Sequence, residues 1–119
     1  MKSIKTIFFV AVTFLYCLSS LAQVTLEDIN QRGKLIIGTT GNQPPYSMMS
    51  KTGQPMGFEI DLAEKLAKAI GVELEIKVMS FKELLPAVES GEIDGAMSGI
   101  TMTANRNRKM AFIGPYSIT

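Results

Sequence analysis

The chain has 119 residues, enough for one small domain, and 46% of them are hydrophobic. Its 12 basic and 11 acidic residues leave a net charge of +1, a balance with no basic surplus for nucleic acid or an anionic membrane surface. With no histidine and with Cys17 as the single cysteine, no metal site and no cofactor is expected.

Residues 1–22 have the form of a secretory signal. Lys2 and Lys5 make a basic start, residues 7–18 are an apolar run interrupted only by Thr13, and Ser20 and Ala22 are the small residues before a cleavage point. The run is short of the roughly 20 residues that a spanning helix needs. Cleavage after Ala22 is therefore expected, and it implies export. Lipidation of Cys17 is disfavoured by bulky Tyr16 just before it. Removal of this segment leaves no cysteine in residues 23–119, so neither a disulfide nor a thiol nucleophile is available there.

Thr25 caps a short helix over residues 25–32, with Asp28 at the reciprocal position and Gly33 as its stop. Residues 35–38, Leu-Ile-Ile-Gly, suit a strand buried on both faces. Gly41, Pro44 and Pro45 then force a loop at the strand's carboxyl end, where open α/β sheets bind their ligands. Residues 46–49 and 55–58 flank a polar turn at 50–54. The clearest helix spans 58–70: Leu62, Ala63, Leu66, Ala67 and Ile70 form its apolar stripe, and Glu59, Asp61, Glu64, Lys65 and Lys68 lie off it. Gly71 ends that helix and residues 72–78 alternate as a strand.

Ser80 and Glu83 make a capping box ahead of Leu84, Leu85 and Val88. Pro86 conflicts with a helix begun at Phe81, because its missing N–H orphans the Lys82 carbonyl; either the first turn is distorted or the helix starts later. Residues 90–94 turn back into a short strand at 93–97, and 110–112 and 116–118 are extended pieces around Gly114 and Pro115. The βαβαβ order predicts a three-layer α/β domain with a largely parallel sheet.

Between the strand at 93–97 and a helix start capped by Thr103 lies Ser98-Gly-Ile-Thr-Met-Thr-Ala-Asn-Arg106. A strand that runs through glycine and hydroxyl residues into a helix N-terminus is an anion site, with free N–H groups and hydroxyl donors from Thr101 and Thr103. Arg106, one turn in, can grip a carboxylate with two parallel N–H bonds.

Residues 98–106, together with Lys-Met-Ala-Phe-Ile-Gly-Pro-Tyr at 109–116, resemble the signature of periplasmic amino-acid-binding proteins of ABC importers. These are the family 3 bacterial extracellular solute-binding proteins. Residues 57–63, Gly-Phe-Glu-Ile-Asp-Leu-Ala, and 38–46, Gly-Thr-Thr-Gly-Asn-Gln-Pro-Pro-Tyr, are similar to the same family in the same order. The resemblance covers about residues 33–119 and implies a periplasmic-binding-protein-like α/β/α lobe. Residues 23–119 would be the N-terminal lobe, truncated at the hinge, with a second lobe missing.

It further implies a periplasmic protein that takes a small amino acid or related carboxylate and delivers it to a membrane ABC permease. By that resemblance Arg106 would hold the α-carboxylate with Thr101, the Gly99 carbonyl would accept from the ammonium, and Phe81 would pack on the ligand's side chain. Two positions depart from the family's habit: Thr40 stands where an acidic residue is common, and Gln43 where an aromatic one is. Neutral Thr40 argues against a cationic ligand side chain, and Tyr46 could replace part of the lost aromatic wall. Two rivals share the resemblance. One is a cyclohexadienyl (arogenate/prephenate) dehydratase-like enzyme, against which stands the lack of histidine and of a carboxylate pair. The other is the ligand-binding lobe of a sensory or channel receptor.

Overall fold

A computed structural model describes residues 24–116. The expected signal segment with its cleavage point, and residues 117 and 118 of the last extended piece, lie outside the described residues. Helix α1 (Leu26–Arg32) begins on the Thr25–Asp28 box: Thr25 Oγ1 accepts the Asp28 N–H at 3.2 Å, and the Asp28 carboxylate accepts the Thr25 N–H at 2.8 Å. Two donors that a helix start leaves orphaned are thus satisfied by one pair of side chains.

Strand β1 (Lys34–Thr39) follows and runs up the middle of the main sheet. Its neighbours are β5 (Glu73–Val78) and β6 (Gly95–Ala96), both parallel to it. The strand expected over 93–97 has only two residues in regular pairing. Asp94 N–H to Ile36 O at 2.8 Å and Met97 N–H to Gly38 O at 2.9 Å nevertheless continue its contact with β1 on both sides. Side chains of β1 alternate between two cores. Leu35 and Ile37 pack with Ile29 of α1 and with Ala63 and Ala67 of α2 (Phe58–Ile70). Ile36 faces Leu84 and Ala87 of α3 (Phe81–Ser90), together with Ile93. Helices therefore cover both faces of a parallel sheet, the three-layer α/β/α arrangement expected. Gly38 is required by that packing, because a Cβ there would stand 2.5 Å from Ile93 Cδ1 and 2.9 Å from Leu84 Cδ2.

A second, antiparallel sheet joins β2 (Asn42–Gln43), β3 (Ser47–Met49) and β4 (Pro55–Met56). The polar turn at 50–54 closes its hairpin. The two-residue β2 lies inside the stretch expected to be loop, where Asn42 and Gln43 pair with Met48 and Ser47.

Two readings of the helices need correction. In α2 the buried line is Glu59, Ile60, Ala63 and Ala67, whereas Leu66 is 39% exposed. Glu59 therefore belongs to the inner face and not to the solvated charges. The small side chains at 63 and 67 set the line that meets the sheet, and Glu59 is in phase with it. In α3 the helix does start at Phe81 and runs through Pro86. The carbonyl that Pro86 leaves without a partner belongs to exposed Lys82, where solvent replaces the lost N–H. The Glu83 carboxylate accepts the Ser80 N–H at 3.0 Å and the Ser80 hydroxyl, so the first turn is firmly closed.

Asp94 ties three elements together. Its side chain is 1% exposed, and Oδ2 accepts the Ile36 N–H at 2.8 Å and a guanidinium N–H of Arg32. Asp94→Ala leaves the Ile36 donor without that partner and should cost about 1–3 kcal/mol. Arg32→Ala leaves the buried Asp94 carboxylate without its cation and should cost more, about 3–5 kcal/mol. Urea unfolding of both variants checks the order.

The capping carboxyls also set an acid limit. Hydrogen bonds from Thr25 hold Asp28 below its ordinary value, and those from Ser80 hold Glu83 below its own. In each case the unfolded chain protonates first, so the stabilisation is present above the ordinary carboxylate range and is lost as pH falls through the lower folded values. Glu83→Gln keeps the cap without the proton uptake. Its stability should fall less than the native chain's between about pH 7 and about pH 3, as read by urea unfolding.

Candidate functional site

The carboxyl ends of β1 and β6 open onto one cleft. Beyond β1 the chain passes Thr40 into β2, and beyond β6 it passes Met97 to Ser98 and Gly99. Ser98 is fully buried at the junction. Its Oγ accepts the Thr40 N–H at 3.2 Å, lies 2.7 Å from Thr40 Oγ1, and donates to Gln43 Oε1 at 3.0 Å. A serine hydroxyl has one hydrogen, and here it goes to Gln43, so the Thr40 hydroxyl donates to Ser98. Thr40 and Gln43 form one wall of a cleft of about 450 Å³, with Asn42, Val78, Met79, Ser80 and Phe81 completing its lining. That lining is uncharged.

Arg106 stands over the opposite edge. Its guanidinium carbon is 5.6 Å from the centroid of the Phe81 ring, and Nη1 donates to the Thr101 carbonyl at 2.9 Å. A cation lying over a ring and held by one N–H keeps its remaining donors for a further acceptor. Thr103 Oγ1 accepts the Arg106 N–H at 3.2 Å, which is the predicted cap. The helix it starts, α4 (Ala104–Asn107), has only four residues. One turn sums few peptide dipoles, so the positive character of this loop comes from the guanidinium more than from a helix terminus.

Gly99 follows Ser98 with φ of 56°, and its N–H donates to Glu59 Oε1 at 2.7 Å. The same oxygen accepts the Tyr116 hydroxyl. Burial, and then the hydrogen bond to Glu59, push the Tyr116 phenol well above its usual range. Glu59 is fully buried and fixes the Gly99 backbone from below. Its sequence expectation was a solvated charge off the apolar stripe; the signal of its burial is its spacing of four and eight residues from Ala63 and Ala67.

Of the expected site residues, Thr40 and Phe81 line the cleft. Arg106 meets it through the Phe81 ring, Thr101 through its bond to Arg106, and Gly99 lies beside Gln43, with Ser98 and Glu59 as buried supports. Tyr46 sits apart from the lining: its ring meets Phe58 edge-on at 6.5 Å, and Phe58 in turn meets Tyr116 at 5.9 Å. Gly57 makes this corner possible, since a Cβ there would lie 2.5 Å from the Tyr46 carbonyl oxygen.

Residues 35–119 match the model of the bacterial extracellular solute-binding proteins, family 3. The L-cystine-binding protein TcyJ of Escherichia coli is 34% identical over 94 residues, which is 79% of this chain and 35% of that protein. The cyclohexadienyl dehydratase of Pseudomonas aeruginosa is 33% identical over 109 residues, 86% of this chain and 41% of the enzyme. Among solved structures, the arginine-bound form of domain 1 of an arginine-binding protein from T. maritima superposes with a TM-score of 0.73 at 38% identity. That match covers 75% of this chain and 71% of the domain. The chain spans about a third of the length of the curated relatives it matches first. Binding proteins for amino acids dominate these relatives, and enzymes occur among them. On the match of residues 35–119, the chain belongs to the bacterial extracellular solute-binding proteins, family 3.

Proposed function

We propose that this chain is the N-terminal lobe of a periplasmic binding protein that captures a small amino acid for ABC-type import. The observation that carries the reading is the Arg106 guanidinium, lying over the ring of Phe81, which lines the cleft, and braced by the Thr101 carbonyl. A carboxylate entering a partly desolvated cleft needs charge-assisted partners to offset its lost hydration, and the free edge of Arg106 supplies them. The Thr101 hydroxyl and N–H add to that clamp, the Gly99 carbonyl accepts from the ammonium, and Phe81 packs on the ligand's side chain. Thr40 faces the far end of that side chain, and Tyr46 supports the loop behind it.

The greater length of the relatives supports a second lobe that would complete the ligand's shell, and the family's extracellular role supports residues 1–22 as a signal cleaved after Ala22. The dehydratase relative is a second reading. The uncharged cleft lining offers no acid or base for it, so the binding role stands first.

Arg106→Ala should weaken L-amino-acid binding by about 2–5 kcal/mol in the complete protein, the scale for breaking a buried charged pair. Arg106→Lys should recover only part of this, because an ammonium does not reproduce the planar fork. Arg108 is turned to Asn105, which accepts its Nη2–H at 2.9 Å, so Arg108→Ala should leave affinity nearly unchanged. Calorimetry with L-amino acids checks all three, and equal losses at 106 and 108 would contradict the clamp.

A further inference from the structure

We propose that the Thr40–Ser98–Gln43 hydrogen-bond chain makes this lobe selective for an amino acid with a carboxamide side chain. The proposal rests on the amino-acid reading above and specifies what the far wall of the same cleft recognises. Ser98 sits at the centre, fully buried, and its hydroxyl is committed on both sides. With the Ser98 hydrogen on Gln43 Oε1, the Thr40 hydroxyl must spend its own hydrogen on Ser98. Thr40 Oγ1 then has only lone pairs left for the cleft, while the Gln43 amide nitrogen keeps its two donors. Turning the Gln43 amide over, so that Nε2 donates to Ser98 and Ser98 to Thr40, exchanges these roles and leaves the wall again with one acceptor and one donor. Either arrangement matches a carboxamide, which carries one acceptor oxygen and one donor nitrogen side by side.

Other side chains meet that wall badly. A guanidinium or ammonium brings donors alone and finds no carboxylate among the residues lining the cleft, so its charge would lose water without a partner. A carboxylate brings acceptors alone and faces an acceptor. An aliphatic side chain would leave both Thr40 and Gln43 unpaired on desolvation. Ser98 does not line the cleft; it is a positioning residue that fixes which atoms Thr40 and Gln43 present.

Calorimetry of the complete protein against L-glutamine, L-asparagine, L-leucine, L-arginine and L-glutamate tests this. One of the two carboxamides should bind at least about tenfold more tightly than the other three ligands, the scale of one unmade hydrogen bond. Thr40→Val and Ser98→Ala should both erase that preference, and Thr40→Val should also tighten L-leucine binding, because an aliphatic ligand then leaves one fewer polar group unpaired. Circular dichroism verifies the fold of each variant, and Thr40→Val alone decides the matter where Ser98→Ala is unfolded. L-arginine or L-leucine binding as tightly as the carboxamides, or a preference that survives Thr40→Val, would overturn the selectivity and leave the amino-acid reading intact. No heat with any of the five overturns both.

Discussion

Where β1 and β6 meet, the Met97 N–H donates to the Gly38 carbonyl at 2.9 Å, and the cleft depends on that register. It places Ser98, two residues beyond β6, against Thr40, one residue beyond β1. A slip of one residue would turn Ser98 away from its partners and carry the Gly99 N–H off Glu59. The register can form because residue 38 has no side chain. With any Cβ at that position, Ile93 and Leu84 would be forced away from the sheet, and the face that carries Phe81 would move with them. The packing of α3 and the polar contacts of the site are therefore two consequences of one close approach.

Function is then divided between a charged edge and a neutral wall. Arg106 and Phe81 come from different elements, α4 and α3, and meet only because both border the carboxyl end of the sheet. The wall opposite is built from Thr40 and Gln43, joined behind the cleft by buried Ser98, and none of the three carries a charge. A fixed cation suits a group that every amino acid carries, whereas the wall can vary without disturbing it. Relatives that bind different solutes on one scaffold, alongside an enzyme, fit such a division.

Much of this was legible before any coordinates. Caps at Thr25, Ser80 and Thr103 and stops at Gly33 and Gly71 are local chemistry, so the sequence marks them directly. The grouping of Phe81 with Arg106 came from resemblance, since no local pattern joins residues 25 apart. Three things were not legible. Glu59 looked like a surface charge because hydrophobicity alone defines a stripe, and a buried carboxylate is recognised only by the N–H that reaches it. Gln43 read as a loop residue standing where an aromatic one is common, and its bond to Ser98 depends on the fold bringing residues 55 apart together. The helix at 104 proved a single turn because it has no apolar face to bury, so nothing packs against a longer one.

The most direct measurement is a crystal structure of this chain grown with an L-amino acid, L-glutamine first. The account predicts the α-carboxylate on the guanidinium of Arg106, with N–O distances of about 2.7–2.9 Å, and the ring of Phe81 against the ligand. The Arg106 contact to the Thr101 carbonyl should persist in that complex. A ligand bound in the cleft with its carboxylate on other donors, and Arg106 left facing solvent, would contradict it.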